Sequence, residues 1–224
     1  MTDLPECVEL ETGAQPTASI IWLHGLGADG HDFEPMVPEL KLPGSLPVRF
    51  VFPHAPVRPV TLNNGMPMRA WFDIMKIGMH QKRDREGMLS SQATLEALIT
   101  RENARGIPAA RIVLAGFSQG GAVALYTGLQ YREKLAGIMA LSTYLPMDEF
   151  ALQTNAANHA TSIFYAHGTQ DPVVPLPLAV HTRDTLMARG YTLVWHTYPM
   201  PHTVHPVEIM DISAWLVRVL PPTM

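Results

Sequence analysis

Residues 116–120 read Gly-Phe-Ser-Gln-Gly, a G-x-S-x-G pentapeptide set between the apolar run RIVLAGFS (111–118) and a stretch of helical periodicity over 119–131. That context suits a nucleophilic serine. The chain must turn sharply from strand to helix, which holds Ser118 in a strained conformation with Oγ exposed. The amide of Gln119 then sits at a helix N-terminus, where unpaired N–H groups and the helix dipole favour negative charge, as an oxyanion hole requires. A serine also needs a base and an acid that orients it, and after such an elbow the chain order is Ser, then Asp or Glu, then His. Asp171 in HGTQDPVVP follows the apolar run SIFYAHG (162–168) and should lie at the same sheet edge as Ser118. Asp-Pro also starts turns. Asp148 and Asp184 are weaker candidates, since each reads as part of a surface helix or its cap.

Two histidines compete for the role of base. YPMPHTVHP (198–206) carries His202 and His205 between prolines. Pro206 suits the first turn of a helix, which puts His205 near the cap and His202 in the loop just past a strand. Loop placement favours His202 as the group that reaches both Ser118 and Asp171. A metal site is not expected: the pair lacks the intervening Glu and the i, i+4 spacing of a zinc helix, and no CxxC could complete it. A second oxyanion donor is expected from HGLGADG (24–30), with the N–H of Leu26 as partner to that of Gln119. His24 precedes Ser118 and so breaks the order; it reads as a residue that holds this loop.

The elements that must position these residues are also legible. SIIWLH (19–24), VRFVFP (48–53), RIVLAGFS (111–118), LAGIMALS (135–142), SIFYAHG (162–168) and TLVWHTY (192–198) are apolar without polar alternation, as suits strands buried on both faces. Helical periodicity occupies 87–105, 119–131, 177–189 and 207–219. Alternating strands and helices imply an α/β fold with a doubly wound, mostly parallel sheet and helices on both faces, here one domain over 1–224. Residues 54–86 break the alternation. They carry prolines, an Asn-Asn-Gly turn, one short strand expected around Ala70–Ile74, and Met66, Met68, Met75 and Met79, flexible thioethers suited to an adaptable apolar surface.

Composition narrows the function. The chain has 224 residues, 47% hydrophobic and 16% charged, enough for a sizeable core. A net charge of −4 without a basic block argues against nucleic acid as a partner. No run of eighteen apolar residues suggests a membrane span, and the acidic start MTDLPECVEL is unlike a signal peptide, so a cytoplasmic protein is expected. Cys7, the single cysteine, allows no internal disulfide; it lies far from any Gly-rich turn and reads as structural rather than nucleophilic.

IIWLHGLGADG, RIVLAGFSQGGAVAL, AHGTQDPVVP and the YPM-x-H-x-V ending together resemble bacterial carboxylesterases related to acyl-protein thioesterases and lysophospholipases. HAPVRPVTLNNGMPMRAWFDI is similar to that family's AP-x-x-x-VT-x-N-x-G-x-x-M-x-x-W-x-D-I segment, and the similarity runs from about residue 19 to 219. The resemblance implies an α/β-hydrolase with a short lid-like insertion rather than a full cap domain. It implies Ser118 as nucleophile, Asp171 as acid, His202 as base, and Leu26 and Gln119 as oxyanion donors. Leu62, Met66, Met68 and Trp71 become candidates for the substrate pocket. The implied activity is cofactor-free hydrolysis of small to medium acyl esters, with acyl thioesters or lysophospholipids as the alternative, and a homodimer is a further implication. A non-catalytic hydrolase-like binding protein would be expected to lack a member of the Ser/Asp/His set. One departure stands out: the family usually has Gly before the histidine, and this chain has Pro201, which fixes φ and removes an N–H.

Overall fold

Among the described residues nine strands form: β1 (Cys7–Glu11), β2 (Ala18–Leu23), β3 (Val48–Pro53), β4 (Val57–Val60), β5 (Met66–Arg69), β6 (Ile112–Phe117), β7 (Gly137–Leu141), β8 (Ser162–Gly168) and β9 (Leu193–Tyr198). They are seen in a computed structural model that describes residues 4–78, 84–145 and 152–222. Seven strands make one sheet in the order β1-β3-β2-β6-β7-β8-β9. β1 runs antiparallel to β3 and every other pair in this sheet is parallel. Among the described residues four helices flank it: α1 (Arg85–Ala104), α2 (Gln119–Gln130), α3 (Leu176–Ala188) and α4 (Pro206–Val219). This is the α/β-hydrolase architecture. None of these helices is long and apolar enough to cross a membrane.

The continuous apolar runs are explained by two cores, one on each face. Ile112 and Leu114 of β6 pack with Leu95 and Leu98 of α1, Val123 of α2 and Leu186 of α3. Val113 and Ala115, one residue out of phase, pack instead with Ile212, Trp215 and Leu216 of α4, with Phe33 just before one short 3-10 turn and with Leu40 in the next. A strand covered on both sides has no face left for polar residues, hence the missing alternation. Each fully buried large apolar side chain contributes about 1.5–3 kcal/mol, so the central strands are the most strongly held part of the chain. Parallel pairing brings their carboxyl ends to one edge, with Leu23 opposite Gly116 and Phe117 opposite Leu141.

Two elements differ from the sequence reading. β1 is an additional edge strand, in which half-buried Cys7 donates its thiol to Pro5 O and burial raises the thiol pKa. Residues 70–74 are not a strand. The strands of this segment lie before them, as the antiparallel pair β4–β5. The chain reverses through Asn64 and Gly65 at φ 55° and 75°, a left-handed conformation these residue types tolerate. Beyond the hairpin, irregular backbone is held by specific bonds. Asp73 accepts from Thr61 N (2.7 Å) and Oγ1 (2.6 Å), while Asp84, the N-cap of α1, accepts from Asp73 N (2.8 Å) and Arg58 Nη2 (2.8 Å). Met79 lies outside the described residues, as does Asp148.

Candidate active site

Ser118 occupies the turn between β6 and α2 at φ 54° and ψ −119°. Such a conformation costs a non-glycine residue about 1–3 kcal/mol and persists only where its surroundings impose it. Here Ser118 N–H donates to Leu141 O at 2.8 Å, and Thr143 Oγ1 donates to Ser118 O at 2.6 Å. The flanking glycines make the turn sterically feasible. A Cβ on Gly116 would lie 2.3 Å from Gly120 O, and one on Gly120 would lie 2.5 Å from Leu23 O.

His202 stands between Ser118 and Asp171. Its Nε2 is 2.9 Å from Ser118 Oγ and its Nδ1 is 2.6 Å from Asp171 Oδ2. The Asp171 side chain is fully buried, and its Oδ1 accepts from Val173 N and Val174 N at 2.8 Å each. A carboxylate so placed accepts the imidazole Nδ1–H, which leaves the Nε2 lone pair facing the serine hydroxyl. The Phe117 ring packs on His202 with centroids 4.7 Å apart. In the loop that carries Pro201, Pro201 O accepts from Thr203 N and Met200 O from Gln170 N. His205 is the N-cap of α4, where its Nδ1 accepts from Val207 N at 3.2 Å. Asp184 lies on α3, paired with its neighbour Arg183.

Buried His167 was not singled out by sequence order. Its Nε2–H donates to Val174 O at 2.8 Å and lies 3.6 Å from Asp171 Oδ2; burial lowers its pKa, so the ring is neutral. It steadies the loop that carries Asp171 without adding charge beside the carboxylate.

The amides of Leu26 and Gln119 have no acceptor among the described residues. The Gln119 side chain has a role that its place in the motif did not disclose. Its Oε1 accepts from Trp71 N (2.8 Å) and its Nε2 donates to Phe72 O (2.7 Å), which clamps the irregular segment onto the elbow. The signal was only a long polar side chain at the start of a buried helix.

An apolar cavity opens on Ser118, lined by Leu26, Leu62, Phe72, Ile74, Met75 and Val173, among others. Of the four residues put forward for a substrate pocket, Leu62 lines this cavity and the other three do not. Met66 is 62% exposed, since the hairpin turns its side chain to solvent. The Met68 sulfur accepts from Asn63 Nδ2 and lies towards Gly27 of the His24 loop. Trp71 is buried beneath that loop, where its Nε1 donates to His24 O at 2.9 Å. Met75 takes the place expected for a thioether.

A model of the phospholipase/carboxylesterase family matches residues 6–220. The chain belongs to this family. Acyl-protein thioesterase 1 of Neurospora crassa is 43% identical over 218 residues, 93% of this chain and 89% of its own. Acyl-protein thioesterase 1 of Mycosarcoma maydis is 40% identical, over 94% of each chain. These relatives are fungal, whereas the motifs had suggested bacterial ones. Among solved structures, Arabidopsis thaliana SOBER1 superposes with a TM-score of 0.82 at 31% identity, covering 91% of this chain and 99% of its own. Zea mays acyl-protein thioesterase 2 gives 0.81 at 26% identity, with 96% and 99% covered. Phospholipase/carboxylesterase members are enzymes that act on ester bonds.

Proposed function

We propose that this protein is a serine carboxylesterase that cleaves small to medium acyl esters through an acyl-enzyme on Ser118. The observation that carries the reading is the hydrogen-bonded series Ser118–His202–Asp171 at the mouth of an apolar cavity. Ser118 Oγ attacks the carbonyl carbon while its proton passes to His202 Nε2, and Asp171 stabilises the imidazolium so formed. The negative oxygen of the tetrahedral intermediate is held by the amides of Gln119 and Leu26. Each such donor is worth about 2.7–4 kcal/mol of transition-state stabilisation. The intermediate collapses as His202 returns the proton to the leaving oxygen. Water, deprotonated by the same histidine, then attacks the acyl carbon and releases the acid. The acyl chain lies among Leu62, Phe72, Ile74 and Met75, where an apolar lining favours hydrocarbon over water. Every proposed participant comes from one chain, in keeping with a single hydrolase domain.

A second reading, thioester hydrolysis with the same residues, is favoured by the names of the relatives near 40% identity. A fluorophosphonate probe should label the wild-type protein and leave Ser118→Ala unlabelled; equal labelling of both would sink the assignment. Rates on p-nitrophenyl esters of increasing chain length, compared with a palmitoyl thioester, separate the two readings. A kcat/KM that peaks at short or medium oxoesters supports the first, and one that peaks at the thioester supports the second.

A further inference from the structure

The peptide between Gly25 and Leu26 carries the proposed oxyanion donor at one end and an anchored oxygen at the other. Among the described residues no peptide bond is cis. Gly25 O and Leu26 N–H therefore lie in one plane and point in opposite directions. Whatever holds the carbonyl sets the direction of the N–H.

Two groups hold it: Ala28 N–H donates to Gly25 O at 3.3 Å, and the side chain of His24 makes the shorter bond. Its Nδ1 lies 2.7 Å from Gly25 O, and its Nε2 lies 3.1 Å from Ala55 N. The amide of Ala55 can only donate, so Nε2 accepts and carries no proton. The ring is the Nδ1–H tautomer, and Nδ1–H donates to Gly25 O. The ring has little freedom to leave this position. It is 1% exposed, it packs on Trp71 with centroids 5.2 Å apart, and Trp71 Nε1 holds its backbone oxygen at 2.9 Å. Burial also lowers its pKa, which keeps the ring neutral, as the accepting Nε2 requires. A hydrogen bond to Gly25 O further polarises the peptide and strengthens the Leu26 N–H as a donor.

We infer that His24 is a positioning residue for ester hydrolysis, whose Nδ1–H fixes the Gly25 carbonyl and so aims the Leu26 N–H at the developing oxyanion. This rests on the reading of Leu26 as an oxyanion donor. Trp71 serves both donors, bracing His24 through its indole and the Gln119 side chain through its backbone N–H.

Two isosteric variants divide the ring's two bonds. His24→Asn places an amide N–H near the Nδ1 position and abandons Ala55. His24→Gln places an amide oxygen near the Nε2 position and leaves Gly25 O only the longer bond from Ala28 N–H. With p-nitrophenyl butyrate, His24→Gln should lose kcat by roughly 10- to 100-fold, a share of what complete removal of a donor costs, with KM nearly unchanged. A trifluoromethyl ketone, which forms a negatively charged adduct on the serine, should lose affinity in parallel. His24→Asn should keep kcat within about threefold while its melting temperature falls. Equal loss in both variants, or full kcat in His24→Gln, overturns the inference. Ser118→Ala, assayed alongside, separates this from the wider reading: if it keeps turnover, the proposed function itself fails. In the wild-type protein, nitrogen NMR should report the Nδ1–H tautomer for His24, and the Nε2–H tautomer would overturn the inference whether or not the variants fold.

Discussion

Glu208 offers a test of how burial sets charge near the proposed base. It lies in the first turn of α4, fully buried, with Oε2 accepting from His205 N at 3.1 Å and Oε1 without a hydrogen-bond partner among the described residues. The helix N-terminus favours its anion by about 0.3–1 kcal/mol, but burial opposes it more strongly. Asp211, one turn along and bonded to Tyr198 OH, opposes it too. Together they push the Glu208 pKa from 4.5 up to about 7. A raised carboxyl pKa means that the folded state binds the proton more tightly than the unfolded state. The stabilisation is therefore fully present below about pH 4.5 and is lost as pH rises towards 7. Between pH 5 and pH 8 the loss amounts to roughly 2–3 kcal/mol. Glu208→Gln keeps an oxygen for His205 N–H and cannot ionise. Urea unfolding of both proteins at the two pH values should show the variant gaining on wild type by roughly 2–3 kcal/mol at pH 8 relative to pH 5. Comparing the two differences cancels any constant cost of the new amide. A stability difference that is the same at both pH values would refute this account of Glu208.

His205→Ala should leave kcat and KM essentially unchanged while removing the cap of α4, a loss of about 1 kcal/mol by urea unfolding; loss of turnover would mean that His205, not His202, serves Ser118. Gln119→Ala strands Trp71 N–H and Phe72 O in a buried setting, at about 1–3 kcal/mol for each unmade bond. Its melting temperature should fall by roughly 2–4 °C per kcal/mol lost. KM for longer acyl esters should rise more than KM for acetate esters, because Phe72 lines the cavity.

Sequence alone went far where chemistry is tied to chain order. The strand–GFSQG–helix context, the acid after one later strand and the histidine after the next singled out Ser118, Asp171 and His202, and the parallel sheet gathers their loops at one edge. The six parallel strands and four helices were legible for a similar reason: burial on both faces leaves an unbroken apolar run in β2, β3, β6, β7 and β8, the half-buried edge strand β9 keeps a largely apolar one, and the covering helices keep their own period. What stayed hidden depends on partners distant in the chain. Cys7–Glu11 is a strand only because β3 lies beside it. Trp71 and Phe72 are adjacent, yet Trp71 is drawn under the His24 loop while Phe72 faces the cavity, a split made by the Gln119 clamp and by no local pattern. Met66 and Met68 carry the same thioether as Met75, but the hairpin turns one to solvent and the other towards Gly27. Local sequence determined which residues could do chemistry and on which kind of element. Tertiary structure decided which surfaces they meet, because a side chain's surroundings are set by whatever folds against it.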